Sequence, residues 1–325
     1  MVKQIGLLER NRLIEGNTMR AKFVLPAIAA GLVILAGCDI EDLSGFERYH
    51  EDFHYSYPLK GGGRLSVEGF NGSVDISVWD QNTVDISGTR YARTQEDTHD
   101  IKIEVDHSAD SVYIRAVRPS MRRGNSGVQF AIKVPRGVVL EHVATSNGAI
   151  RASDSAGPAR LKTTNGHVEV RRFKGALNAE TSNGPVELQD IDGAVEVRTS
   201  NGHVHAEGIR GTFDASTSNS SIHAEIDKVD GAVRAQSSNG GIDLALPPGM
   251  QSEVRAHTSN SGITLHLPGE VNARLVAGTS NSSISSDFEM RMRGEISKHH
   301  IEGSIGNGGP LIDLSTSNGQ IRIMR

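Results

Sequence analysis

The residues best placed to do chemistry fall in one column. Four positions after successive asparagines stand Arg151, Glu169, Glu187, His205, His223 and Asp243. Glu207 and Glu225 follow the two histidines by two residues, hence on the same side of an extended chain. Imidazole beside carboxylate is the pairing used in general acid–base catalysis, and it also holds divalent metals. If these positions sit on adjacent strands about 4.8 Å apart, Glu187 and Asp243 flank a His205–His223 pair. The stripe Glu169, Glu187, His205, His223 and Asp243 is therefore the candidate binding surface. Its composition drifts from arginine through glutamate to histidine and aspartate, so no single strand carries a matched acid and base. A half-buried strand needs polar residues outside whatever it binds. A solvated face is thus expected ahead of a ligand site, and a ligand site ahead of a catalytic one; no catalytic residue, metal or cofactor is assigned.

Other candidates are weaker. His50 and His54 lie beside Glu51 and Asp52, a tempting metal pair, but the polar stretch from Asp39 to Lys60 reads better as a tether entering an edge strand. His299-His300 falls in an irregular segment and reads as loop, and Phe288, Met290 and Met292 nearby read as a local core. Lys162, Glu180 and Arg198 alternate in sign, which suits ordinary pairing between strands. The chain has no Gly-x-Ser-x-Gly elbow, no His-Glu-x-x-His and no phosphate loop.

The stripe is positioned by a repeat. The asparagines of recurring Thr-Ser-Asn-type phrases, six of the nine followed by glycine, fall at Asn147, Asn165, Asn183, Asn201 and Asn219, each 18 residues apart, then at Asn239, Asn260, Asn281 and Asn318. Three residues after each asparagine stands only Val or Ile: Ile150, Val168, Val186, Val204, Ile222, Ile242, Ile263, Ile284 and Ile321. Four before each stands a small or branched apolar residue, from Val143 and Leu161 to Ala277 and Leu314. Polar residues alternate with these, the period-2 pattern of half-buried strands. A fixed period near twenty marks a repeat architecture.

Two arrangements satisfy the alternation. Asn-Gly is the strongest short hairpin signal, which would give a stacked β-hairpin meander. The alternative is a β-solenoid of 18–21-residue coils with like residues stacked. Phe173, Ile191, Ile209 and Val229 precede a second corner, and Leu177, Val195, Phe213 and Val233 follow them four positions later. A two-residue hairpin would put each such pair on opposite faces. Strict Thr, Ser and Asn columns also suit polar ladders between parallel coils. The expected fold is all-β, a solenoid over residues 141–325 preceded by a shorter irregular β region at 61–140. Strands are expected there around Thr83–Ser87, Ile101–Val105, Val112–Ala116 and Val128–Val134, with a loop at Arg118–Asn125. Only 4% of the residues are aromatic, so the core must be thin and aliphatic.

The N-terminus carries an address. Met19-Arg20-Ala21-Lys22 is basic, Phe23 to Leu35 is apolar, and Leu35-Ala36-Gly37-Cys38 follows. The apolar run is too short to span a bilayer and suits a signal peptide. Leu-Ala-Gly-Cys resembles the bacterial lipobox, which implies acylation of Cys38, the single cysteine of the chain. Residues 1–37 are then the signal peptide, with Met19 a second possible start, and residues 38–60 the lipidated tether. From Cys38 on, the chain keeps 29 basic side chains against 37 acidic ones, which argues against nucleic acid as a partner.

Several features together resemble a known family. They are Gly62-Gly63-Arg64-Leu65-Ser66-Val67, the early copy Asn71-Gly72-Ser73-Val74 with Trp79-Asp80, the junction Val134-Pro135-Arg136-Gly137, and the repeats through Gly319-Gln320-Ile321. They are similar to the bacterial adhesin-type β-strand-repeat family, catalogued as a domain of unknown function, over roughly residues 58–325. The resemblance implies architecture and no catalytic residues. With the lipobox it implies an anchored envelope protein that binds or scaffolds, its partners being the membrane and an envelope protein or polysaccharide. The alternatives are a β-helix carbohydrate-active enzyme, lyase or hydrolase, and an accessory or sensor protein of envelope stress.

Overall fold

The computed structural model describes residues 48–118, 125–293 and 297–325, which lie within one compact unit, Phe46–Arg325. Cys38 and its leader fall outside the described residues, as does most of the expected loop at 118–125.

The Val/Ile column builds the interior. Val168, Val186, Val204 and Ile222 pair in register on parallel strands, and each is at most 1% exposed. Burial of such a side chain stabilises by about 1.5–3 kcal/mol. The strand before each asparagine stacks the same way: Ala179 pairs with Leu161 and Val197, and Val197 with Ala215. From Val139 to His266 all these pairings are parallel and offset by one repeat. The fold is a β-solenoid; a hairpin would pair the two strands of one repeat antiparallel. We call the sheet before the asparagines the leading sheet and the one after them the trailing sheet, and name each coil by its asparagine.

The turn between the sheets is a polar ladder. Asn165 Nδ2 donates to Asn147 Oδ1 at 2.5 Å, Asn183 to Asn165 at 2.5 Å, Asn201 to Asn183 at 2.6 Å and Asn219 to Asn201 at 2.7 Å. The early copy belongs to it, for Asn147 donates to Asn71. Inside the turn, buried threonines cross-link coils: Thr163 Oγ1 donates to the Gly148 carbonyl at 3.0 Å and Thr181 Oγ1 to that of Gly166 at 2.9 Å. Each hydroxyl also accepts within its own turn, from the N–H of Gly166 or Gly184 at 3.2 Å.

These glycines are not hairpin glycines. Among the described residues, the left-handed glycines include none from the Asn-Gly pairs of the repeats. Stacking requires them: a Cβ on Gly184 would sit 1.8 Å from the carbonyl oxygen of Gly166. The second corner differs. Gly175, Gly193 and Gly211 have φ of 134°, 148° and 141°, and Asp154, Arg172, Asp190 and Gly208 occupy a left-handed bulge just before it at 60°, 50°, 56° and 68°. The inward residues Phe173, Ile191 and Ile209 are as the pattern predicts, but Ile226 follows them in place of Val229. The longer Asn219 repeat carries its extra residues as a register shift, leaving Val229 only partly buried.

Residues 49–140 supply two further coils and a cap. Arg64–Glu68 and Val74–Trp79 form the Asn71 coil, between Ser111–Val117 with Gly127–Pro135 on one side and the Asn147 coil on the other. Lys102–His107 then covers the leading sheet, while Thr83–Ala92 and Tyr49–Pro58 cover the trailing one, all antiparallel. A short helix, Gln95–His99, was not evident in the pattern; the Thr94 hydroxyl caps it by accepting from Asp97 N–H at 3.1 Å. Where the core widens in this cap it takes rings, Phe53 lying edge-on to Phe130 at 5.8 Å.

Candidate functional site

The trailing sheet brings the predicted column together. Arg151, Glu169, Glu187, His205, His223 and Asp243 are consecutive partners across parallel strands. They project outward because Val168, Val186, Val204 and Ile222, one position earlier on each strand, project inward.

The column divides into two parts. At its N-terminal end Arg151 contacts Asp75 at 2.9 Å and Glu169 at 3.4 Å, and Arg171 holds the same Glu169 at 2.6 Å. The Asp75 hydrogen bond leads the upward shift of the Arg151 pKa. Glu169 is thus held between two guanidiniums. Lys133, Arg151, Arg171 and Arg172 help line a shallow depression of about 390 Å³ here.

The other end holds the histidines. The rings of His205 and His223 stack with centroids 5.1 Å apart and planes 13° from parallel. His205 Nε2 lies 2.9 Å from Glu207 Oε1, and His223 lies 3.6 Å from Glu225 and 3.5 Å from Asp243. His266 reaches the other oxygen of Asp243 at 3.2 Å, and His167 lies 3.6 Å from Glu187. Neither His167 nor His266 belongs to the predicted column: they stand two and six positions after their asparagines, and only the stacking brings them alongside. His205, His223 and His266 are roughly two-fifths exposed, on a surface rather than in a cleft. Among the described residues no three His, Cys, Asp or Glu side chains are placed to hold a metal ion. Each histidine faces a carboxylate, an arrangement suited to a polar or cationic ligand lying flat across the coils.

A second concave surface was not anticipated. A groove of about 790 Å³ crosses several coils of the leading sheet. Ala176, Ala194 and Thr212, each next to a corner glycine, line it together with Asn178, Glu196 and Asp214. The signal in the sequence is the run of small residues just after each corner glycine, which alternation alone does not mark as concave.

The weaker candidates find other roles. Tyr49–Pro58 is an edge strand, where His54 bonds Asp85 at 2.5 Å across the antiparallel pair and the His50 ring lies 6.3 Å from that of Tyr91. His300 opens the strand His300–Ile305, and His299 Nδ1 lies 2.7 Å from the Ser282 carbonyl oxygen. Phe288 is buried and Met290 packs on the core. Lys162 and Glu180 pair at 2.8 Å.

Among known proteins, no curated protein matches the chain. The solved structures that align with it at low similarity include two. One is a candidate cell adhesion protein from Clostridium sporogenes, 11% identical, covering 84% of this chain and 99% of its own, with a TM-score of 0.22. The other is a candidate adhesin from Bacteroides fragilis, 13% identical, covering 84% and 97%, with a TM-score of 0.37. Likenesses at that level carry no functional argument. The profile of the Toastrack DUF4097 family matches residues 72–324, nearly the whole solenoid, and the chain belongs to that family.

Proposed function

We propose that this chain is a lipid-anchored protein of the bacterial cell envelope that binds or scaffolds through the outer faces of its solenoid, adhesion being one form of that role. The observation that carries the reading is the trailing face. In-register stacking sets His205, His223, Asp243 and His266 into one continuous polar surface across neighbouring coils. Such a surface fits an extended envelope polysaccharide or protein better than a small substrate. The anchor rests on the lipobox at Cys38 and the tether that follows. No helix among the described residues is long and apolar enough to cross a membrane.

Binding is tested with immobilised envelope polysaccharide and purified envelope proteins, comparing the chain with a His205→Ala/His223→Ala variant. Loss of binding in the variant is expected, and retention of all binding would remove the stripe from the proposal. Labelled palmitate tests the anchor: Cys38→Ala should abolish incorporation, and equal labelling of both proteins would refute it. The stacked histidines and their carboxylates leave one second reading, a carbohydrate-active enzyme. Release of reducing ends or unsaturated sugars by the native chain, absent after His205→Ala/His223→Ala/Glu187→Gln, would favour that reading over this one.

A further inference from the structure

Every coil from Asn165 to Asn260 stacks on the one that precedes it in the chain, but the Asn281 coil does not stack on the Asn260 coil, because the last coil lies between them. Leu311–Thr316 lies between Val254–Thr258 and Ala273–Thr279, parallel to both. Ile321–Met324 lies likewise between Ile263–His266 and Ile284–Ser286. The C-terminal coil is thus intercalated between two coils made before it. The slot is specific. Asn318 donates to Asn260 at 2.8 Å and accepts from Asn281 at 2.7 Å. Thr316 Oγ1 donates to the Ser261 carbonyl at 2.8 Å, and Thr279 Oγ1 donates to that of Gly319 at 3.0 Å. A Cβ on Gly319 would lie 1.7 Å from the Ser261 oxygen, so no other residue fits without displacing backbone. Ile312, Leu314, Ile321 and Ile323 are buried in it.

We propose that this slot is a pairing site for residues 311–324 of a second copy of the chain, so that two copies exchange C-terminal coils. The occupant follows from the slot's demands: an inward threonine, an asparagine amide that both donates and accepts, a glycine, then apolar residues at alternating positions. The chain's own C-terminus meets all of them, and a second copy makes the same contacts as the first. Only the connection differs. It is Gly306-Asn307-Gly308-Gly309-Pro310, with Gly306 and Gly308 left-handed at 59° and 78°, a hinge of the kind through which identical elements are exchanged. Five residues span at most about 17 Å, so the two copies must meet along the edges where their hinges emerge.

The test co-expresses two full-length variants with different tags, one carrying Ser259→Cys and the other Ser317→Cys. Ser317 N–H donates to the Ser259 carbonyl at 3.2 Å, and neighbouring parallel strands about 4.8 Å apart fall within disulfide reach. Oxidation should give a covalent heterodimer whose mapped peptides join positions 259 and 317. A chain carrying both substitutions should also close on itself. If it does so while the co-expressed pair gives no such link, the slot is filled only within one chain and the proposal is overturned. Light scattering of the unsubstituted chain is the second readout. A dimer whose fraction rises with concentration is expected, and a monomer at all concentrations overturns the proposal independently.

Discussion

Replacing Val204 with aspartate puts a carboxyl into the middle of the Val/Ile column. Val204 is 1% exposed and stacked between Val186 and Ile222. The change removes about 1.5–3 kcal/mol of apolar burial. Burying an unpaired polar group adds several more, so the loss is about 4–6 kcal/mol, against a typical total of about 5–15 kcal/mol for a domain. His203→Asp, one position earlier and exposed, should stay within about 0.5 kcal/mol of the native chain. Urea unfolding followed by far-ultraviolet circular dichroism compares the two. The pH dependence gives a second check. Burial raises the pKa of the introduced carboxyl, so above about pH 4 the unfolded chain loses its proton first, at up to about 1.4 kcal/mol of stability per pH unit. The Val204→Asp variant should therefore weaken further as pH rises towards the folded-state pKa, relative to the native chain. Equal destabilisation by the two substitutions, or a Val204→Asp variant that strengthens with pH, would refute the assigned facing of this strand.

Gly193→Ala should cost more than about 2 kcal/mol, because φ is 148° and the added Cβ would lie 2.1 Å from the Gly175 carbonyl oxygen; melting at or above the native temperature would contradict the stacking argument. Asn183→Ala removes two ladder hydrogen bonds, to Asn165 and from Asn201, and should cost about 1–2 kcal/mol in thermal unfolding. In that variant, mass spectrometry of aged protein should find faster deamidation at Asn165 and Asn201, whose amides each lose a partner. The Arg172 hydrogen bonds at 2.6 and 2.9 Å hold the Asp154 pKa below the ordinary carboxylate value. The stability from that pair is present above the unfolded-state value and lost as pH falls through the folded one. Arg172→Gln should therefore flatten the acid limb below about pH 4, and an unchanged acid unfolding curve would show that the pair contributes nothing. Zn²⁺ or Ni²⁺ should shift the melting temperature little, since no three ligands converge among the described residues; a large rise lost in His205→Ala/His223→Ala would reveal a metal site formed by rearrangement.

The repeat itself was legible in the sequence. An 18-residue period with Val or Ile fixed at one position leaves little freedom, because the side-chain period of two ties each strand's facing to that column. Hence the solenoid, the facing of the His205 and His223 column, and the place of Asn71 as an early copy could all be read from residue order. The role of the Asn-Gly glycines could not. A left-handed turn and a close carbonyl contact between coils select the same residue, and only the stacking shows that Gly184 is set by its distance to Gly166. Ile226 displaced Val229 for a related reason, since inserted residues do not announce which apolar neighbour keeps the inward register. The ion pairs of His266 with Asp243 and of His167 with Glu187 depend on diagonals between coils, which one-dimensional spacing does not contain. Coil order was the largest omission. The Asn281 and Asn318 coils share the asparagine, the isoleucine three residues after it and an apolar residue four before it, so those columns alone do not say which stacks next on Asn260; the path of the chain through Ile305 and the Gly306–Pro310 hinge places Asn318 there. A repeat pattern determines what can stack, and only the tertiary connection decides in which order.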